Sequence, residues 1–340
     1  MPVTVKTFAN FGEAASALSS DRSARYLGGG TLVMRALNEG DISISTVVRA
    51  TDQALSRIDV ASSRITIGAG VTFAKILAER DLAFLHAPAR SIGGPAVRNM
   101  GTVGGNLFAP SPYGDFTVAL LALDATVSVQ GGLGARDMPI EEFLQSRERQ
   151  SGALVLAVSC QRPASADAFR YRKIARIKPK GGSVITLAAH LPSSGGRISG
   201  ARIALGSMAA TQIRARAAER ALEGRALDDA AISAAAFRYR KIARIKPKGG
   251  SVITLAAHLP SSGGRISGAR IALGSMAATQ IRARAAERAL EGRSLDEAAI
   301  SAAAAAATEG VSPADNALGS AWYRREIVGV HLRRLLSGLE

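Results

Sequence analysis

A stretch of 68 residues occurs twice in succession in this chain of 340, first as residues 168–235 and again as residues 236–303. These two copies differ only where Ala226 is matched by Ser294 and Asp229 by Glu297. Solenoid repeats are shorter, about 20 to 50 residues, diverge from one another and number three or more. The chain is therefore not a solenoid, and one sequence must fold twice within it.

The near-identity of the copies indicates a recent tandem duplication, an engineered repeat or an error of sequence assembly. Each copy is predicted to form three strands and a helix, in the first copy over residues 169–176, 183–191, 201–208 and 212–222. Gly195-Gly196 is typical of a hairpin turn, and Gly224 is typical of a helix end. A final helix is predicted over residues 322–336.

The high net charge of the chain is largely a consequence of the duplication. The formal charge of +16 would ordinarily suggest nucleic acid or an acidic surface as a partner. Each copy carries 12 Lys and Arg against 4 Asp and Glu, so half of the excess is one segment counted twice. No basic run is interleaved with aromatic residues as in RNA-stacking surfaces. We expect no nucleic-acid partner.

The remaining composition is that of a soluble protein with a large core, since 47% of the residues are hydrophobic. The sequence shows neither a signal peptide nor a membrane span, so a cytoplasmic location is expected. The single Cys160 excludes an internal disulfide and a cysteine-ligated iron–sulfur cluster within the chain, and its apolar surroundings predict an inert core thiol. The four histidines lack the spacing of metal ligands, so no metal site is expected.

Two glycine loops carry the strongest indication of a ligand. The first is Leu27-Gly28-Gly29-Gly30-Thr31-Leu32-Val33 and the second is Thr102-Val103-Gly104-Gly105-Asn106. Glycine lets backbone N–H groups approach a ligand closely, which suits a phosphate. Two such loops are consistent with a diphosphate held from both sides. Neither loop has the spacing of a Rossmann fingerprint or a P-loop, so an ordinary NAD or ATP domain is not predicted.

The loops resemble those of the FAD-binding medium subunits of molybdenum hydroxylases, the family of xanthine and carbon monoxide dehydrogenases. There a Gly-Gly loop and a later Arg-Asn-x-Gly-Thr-x-Gly-Gly-Asn loop hold the FAD diphosphate, and an Asp nine residues after the last Asn contacts the ribityl chain. The second pattern runs from Arg98 to Asn106 here, followed by Asp115. The segment from Gly319 to Arg325 also has the family's Gly-Ser-Ala-x-Tyr-Arg-Arg pattern. The resemblance implies these FAD contacts: Leu27, Gly28, Gly29, Gly30, Thr31, Leu32, Val33, Thr102, Val103, Gly104, Gly105, Asn106 and Asp115.

The resemblance also implies an α+β fold. A two-lobed FAD-binding domain of the vanillyl-alcohol-oxidase type is expected over residues 1–163, with the lobes meeting near 55–60. A C-terminal domain of antiparallel sheet and helices is expected to follow, with 168–235 as an extra copy and 236–340 as the complete domain. Removing one copy of 68 residues from 340 leaves 272, close to the expected size of such a subunit.

In this interpretation the chain is an oxidoreductase subunit without catalytic side chains of its own. FAD would pass electrons from iron–sulfur clusters to an acceptor such as NAD⁺, a quinone or O₂. The partners would be a molybdopterin-binding large subunit and a [2Fe-2S] small subunit, in a heterotrimer that could dimerise. Two alternatives remain open: a free-standing FAD-dependent oxidase and a non-enzymatic FAD-binding assembly factor.

The strand that opens the first copy has two interpretations at this stage. Its basic run, residues 170–173, either contacts the flavin or a partner subunit, or forms a solvated strand face. Relatives often carry Gly-Asp after this strand, whereas this chain has Lys180-Gly181-Gly182-Ser183. An acidic flavin contact at that position is therefore in doubt.

Overall fold

The computed structural model describes residues 3–131, 134–150, 152–175, 182–235, 237–243, 251–316 and 319–338. The predicted Lys180-Gly181 departure lies outside these residues. The chain divides into two compact units, Met1–Glu219 and Arg220–Glu340. The domain boundaries expected from the sequence stay predictions.

The N-terminal segment forms a small parallel sheet with helices. Its strands and helices are β1 (Thr4–Phe8), α1 (Phe11–Ser20), β2 (Ala24–Tyr26), α2 (Val33–Asn38) and β3 (Thr46–Ala50). Within the described residues the strand order is β1-β3-β2, and both pairings are parallel. Helix α1 packs on β3 and begins at Asn10, whose side chain accepts a hydrogen bond from the N–H of Glu13. The first glycine loop connects β2 to α2, as the sequence predicted.

A larger antiparallel sheet follows. Its region contains β4 (Ile58–Val60), β5 (Arg64–Gly68), α3 (Phe73–Ala78), α4 (His86–Arg90), α5 (Pro95–Met100), α6 (Val103–Leu107), α7 (Asp115–Ala122), β6 (Thr126–Gly131), β7 (Gly134–Pro139), α8 (Ile140–Gln145) and β8 (Leu154–Gln161). The strand order among the described residues is β4-β5-β8-β6-β7. Cys160 lies in β8 and is buried, which raises the pKa of its thiol to about 12 and confirms an inert thiol.

Helix α7 is the centre of this core. All eight of its residues are buried, which agrees with the apolar run that predicted a buried helix. Its Phe116 ring lies 5.2 Å from that of Phe73, centroid to centroid. Since α7 follows the second glycine loop, the packing of this core also positions that loop.

Both copies of the repeat form an antiparallel sheet and helices. The first contains β9 (Phe169–Ala175), β10 (Ser183–His190), β11 (Ser193–Ser194), β12 (Arg197–Ile198), β13 (Arg202–Gly206), β14 (Ile213–Arg214), α9 (Arg216–Leu222) and α10 (Asp229–Ala235). The second contains β15 (Phe237–Ala243), β16 (Ser251–His258), β17 (Ser261–Ser262), β18 (Arg265–Ile266), β19 (Arg270–Gly274), β20 (Ile281–Arg282), α11 (Arg284–Leu290) and α12 (Glu297–Ala305). The C-terminal helix is α13 (Ala321–Ser337).

The predicted helix over 212–222 is wrong in its first part. Ile213 and Arg214 form β14, which pairs with β13, and the helix begins only at Arg216. A free edge of β13 was available, and its backbone groups are paired by this short strand. Gly195 and Gly196 have φ of +57° and +74°, which confirms the predicted hairpin turn between β11 and β12.

The two copies bury opposite faces of the same sheet. In the first copy the inner face, which we define as Thr186, Ala188, Ala204 and Gly206, is buried, and β10 and β13 pack against α7. Its outer face, defined as Ile185, Leu187 and Leu205, is only half-buried. In the second copy the equivalent outer face, Ile253, Leu255 and Leu273, is fully buried in one core with α13. The identical sequence therefore packs α7 in one copy and α13 in the other.

Helix α13 is held on the second copy by a buried arginine. Arg324 is 1% exposed, and its Nε donates to the carbonyl of Val252 at 2.8 Å. The same guanidinium donates to the carbonyls of Gly319 and Ala314 and to Asn316 Oδ1. These partners satisfy a charge that would otherwise be costly to bury.

None of the helices in the described part of the chain is long and apolar enough to cross a membrane. Within the same residues, no group of three or more His, Cys, Asp or Glu could hold a metal ion.

Candidate functional site

The first glycine loop presents a run of unpaired backbone donors. Leu27 donates its N–H to the carbonyl of Val48 at 2.7 Å, and Met34 donates to that of Gly30 at 2.9 Å. Among the described residues, no protein group accepts from the six N–H groups between them, those of residues 28–33. This loop is half-buried to exposed, and Gly30 has a φ of +71°. Successive N–H groups of this kind form a concave site that suits an anion such as a phosphate.

The two glycine loops lie against each other. A Cβ on Gly29 would overlap the backbone carbonyl of Met100, and one on Gly28 would lie 2.9 Å from Thr102 Oγ1. Only glycine allows such an approach of backbone to backbone. The structure thus brings together two loops that are separated by about seventy residues in the sequence.

The second glycine loop uses its own N–H groups within the protein. Val103 and Gly104 donate to the carbonyls of Val71 and Ala69, each at 2.9 Å. This corrects the expectation that backbone donors of both loops face a diphosphate. A Cβ on Gly104 would lie 2.7 Å from that of Ala69, so this glycine is required for packing. The role of Val103 and Gly104 as cofactor contacts stays a prediction.

Thr102 and Asn106 fix the two ends of α6. Thr102 Oγ1 caps the helix by accepting from the N–H of Gly105 at 3.1 Å. Asn106 Oδ1 accepts from the backbone N–H of Thr117 at 3.0 Å and from its hydroxyl at 3.1 Å. Because Thr117 lies in the first turn of α7, the asparagine joins the second loop to the start of that helix.

Asp115, the first residue of α7, is 6% exposed and is held by three donors. Lys173 Nζ contacts its Oδ2 at 2.6 Å, Ser183 Oγ contacts its Oδ1 at 2.6 Å, and the hydroxyl of Thr186 also donates to Oδ1. A carboxylate has about four acceptor positions, so one remains for a ligand. A contact with the ribityl chain of FAD stays a prediction.

The basic strand β9 therefore divides between its two faces. Arg170 and Arg172 are exposed, whereas Lys173 donates to Asp115 and to the carbonyl of Ser91 at 3.0 Å. Tyr171 lies on the same face as Lys173, and its hydroxyl lies 2.8 Å from Ser91 Oγ. Burial, and then the charge of Asp115, raise the pKa of Tyr171. Sequence reasoning singled out this strand but missed its ion pair with Asp115.

Apolar side chains flank the two loops on the surface. Met34 is 45% exposed, Met100 58% and Tyr113 44%. Arg35, which lies in the helix after the first loop, reaches the hydroxyl of Tyr113 at 3.4 Å. An anion site bordered by apolar side chains suits a ligand that joins phosphates to a flat ring.

The duplication supplies a matched test of the Asp115 network. We expect Thr186→Val to lower the free energy of unfolding by about 1–3 kcal/mol, because it removes a donor to a buried carboxylate. Thr254→Val, the same change at the half-buried equivalent position, should cost less than about 0.5 kcal/mol. Urea unfolding of both variants measures the difference. Equal losses would show that the threonine hydroxyl contributes nothing through Asp115.

Comparison with known proteins covers nearly the whole chain. The family model for the FAD binding domain in molybdopterin dehydrogenase matches residues 3–160. The family model for the CO dehydrogenase flavoprotein C-terminal domain matches twice, at residues 170–252 and 238–339. The second model thus finds one match that begins in each copy of the repeat.

Individual relatives agree with these matches. The chain is 32% identical over 141 residues to the nicotinate dehydrogenase FAD-subunit of Eubacterium barkeri, which covers 38% of this chain and 48% of that protein. It is 29% identical over 230 residues to the xanthine dehydrogenase FAD-binding subunit of Escherichia coli O157:H7, with coverage of 65% and 79%. The chain thus spans about half the length of the first relative and over three quarters of the second.

A solved structure supports the fold. Quinoline 2-oxidoreductase from Pseudomonas putida 86 matches with a TM-score of 0.59 and 20% identity, over 99% of this chain and 96% of that one. At this identity the match establishes similarity of fold only.

Proposed function

Because the chain belongs to the family of FAD-binding subunits of molybdenum hydroxylases, we propose that it holds FAD at the two glycine loops and passes electrons from iron–sulfur clusters to an acceptor. FAD is its cofactor, and it is a component of an oxidoreductase. The acceptor proposed is a soluble molecule such as NAD⁺, a quinone or O₂. A two-lobed FAD domain of the vanillyl-alcohol-oxidase type and a cytoplasmic location are part of the proposal.

The observation that carries this proposal is the run of free backbone donors at residues 28–33. A diphosphate has several acceptor oxygens and two negative charges, which these N–H groups would satisfy without any lysine or arginine. The loop needs no rearrangement to offer them, because they already lack protein partners among the described residues.

The other predicted site residues have distinct tasks in this arrangement. Thr102 and the second glycine loop form the surface on which the first loop rests, and Asn106 holds that surface to α7. Asp115 keeps one acceptor position for a hydroxyl of the ribityl chain. Lys173 balances its charge and fixes its orientation, so the carboxylate is held ready for that contact.

FAD supplies the redox chemistry, because it exchanges electrons either singly or in pairs. The chain's own residues bind and orient the cofactor and leave an edge open to an acceptor. The proposed partners are a molybdopterin-binding large subunit and a [2Fe-2S] small subunit, which would carry out hydroxylation and relay electrons.

We expect the isolated FAD-loaded chain to be reduced by dithionite but not by organic substrates. Nothing among its assigned site residues activates a C–H bond, so purines, aldehydes and N-heterocycles should reduce the flavin only when both partner subunits are added. The measurement is the visible absorbance of the flavin under anaerobic conditions. Rapid bleaching of the isolated chain by such a substrate would support the free-standing oxidase instead. Failure of the partner subunits to restore substrate reduction would favour the assembly factor.

A further inference from the structure

The outer face of the first copy's sheet is an apolar surface without a complete cover. Ile185, Leu187 and Leu205 are half-buried. At the edge of this face Ile174 is 55% exposed and Val184 48% exposed. Buried residues of the inner face belong to the large N-terminal core, whereas those three outer-face residues do not.

The equivalent face of the second copy has a known occupant. Val252, the counterpart of Val184, is 4% exposed, and its carbonyl accepts from Arg324 of α13. Ile253 and Leu255 are fully buried in one core with Val328 and Leu332 of that helix. The structure thus shows which segment this sheet face binds.

The two outer faces are chemically the same surface. The copies differ only at Ala226 against Ser294 and at Asp229 against Glu297, and neither pair lies in a strand. Sequence therefore does not explain the difference in exposure. Each chain has two such faces but one α13, and that helix is engaged by the second copy.

We propose that the outer face of the first copy is a docking site for the C-terminal segment, residues 311–338, of a second copy of this chain. Exchange of this segment always leaves one face open, because every chain brings two faces and one helix. Such a head-to-tail contact does not close into a dimer and gives assemblies that grow with concentration.

A synthetic peptide of residues 311–338 tests the proposal directly. Isothermal titration into the full chain should show one peptide bound per chain. The variant lacking residues 168–235 has one sheet and one α13, so it should bind none. The same peptide with Arg324→Ala should bind at least ten-fold more weakly, because it loses the donor to the carbonyl of Val184.

Two substitutions in the full chain keep the test independent of that deletion. Leu187→Glu, which puts a charge on the outer face of the first copy, should abolish peptide binding and the rise of mass with concentration in light scattering. Thr254→Glu, on the half-buried inner face of the second copy, should change neither. Absence of peptide binding to the full chain, or equal binding to the deletion variant or to Leu187→Glu, would overturn the proposal. Neither readout depends on FAD.

Discussion

Replacing Gly29 with valine should weaken FAD binding at least about 100-fold, which corresponds to about 2.8 kcal/mol. The new Cβ would occupy the position of the Met100 backbone carbonyl, so the first glycine loop must move away from the second. Its N–H groups would then no longer converge on the diphosphate. Titration of the apoprotein with FAD measures the effect.

Gly131→Val is the matched control for this substitution. A Cβ on Gly131 has no neighbour within 4 Å, and the residue lies in a strand, where valine is favoured. FAD affinity should therefore remain unchanged in this variant. If Gly29→Val bound FAD as tightly as the control, the proposed diphosphate site at the first loop would be wrong.

Gly104→Val should reduce FAD binding by a different route. Its Cβ would press on Ala69 in a buried position, and overpacking of this kind costs about 1–3 kcal/mol of stability. We therefore expect a lower Tm for this variant and little change of Tm for Gly29→Val. The sequence alone suggested the same mechanism for both glycines, and the structure separates them.

Deleting residues 168–235 should leave FAD binding intact and raise both solubility and Tm. The deletion joins Asp167 to Ala236, which restores the same local sequence because both copies begin with alanine. Lys241, Ser251 and Thr254 then occupy the sequence positions of the three donors to Asp115. The single remaining sheet would pack its inner face on α7 and its outer face on α13.

The expected gain follows from covering surface that is now exposed. Burying the exposed part of one Ile or Leu contributes about 1 kcal/mol, and about 1 kcal/mol shifts Tm by about 2–4 °C in a chain of this size. Several such residues lie on the uncovered face, so an increase of several degrees is expected. Thermal unfolding, the soluble fraction after expression and an FAD titration are the measurements. Loss of folding or of flavin would show that both copies are required.

Much of the local structure could be predicted from the sequence. The glycine loop between β2 and α2, the buried helix α7 and the hairpin turn at Gly195-Gly196 all follow from short-range patterns, since turn residues and apolar runs restrict the backbone by themselves. The fate of Ile213 and Arg214 could not be predicted this way. They form a strand because the edge of β13 lies beside them, which is a long-range condition.

The candidate site shows the same division. The residue types pointed to a phosphate ligand, but only the folded chain reveals which donors are free, because Val71 and Ala69 take the N–H groups of the second loop. The ion pair between Asp115 and Lys173 joins residues far apart in sequence, and spacing alone contains no sign of it.

The repeat separates the two contributions most clearly. The sequence by itself determined the strand pattern, the turns and the alternation of side chains between two faces, since both copies have them alike. Which face is buried was decided only by tertiary structure. Thr186 and Ala188 are covered by α7 in the first copy, while Ile253 and Leu255 are covered with α13 in the second. The reason is that burial depends on the element that packs against a sheet, and identical sheets were given different neighbours by their places in the chain.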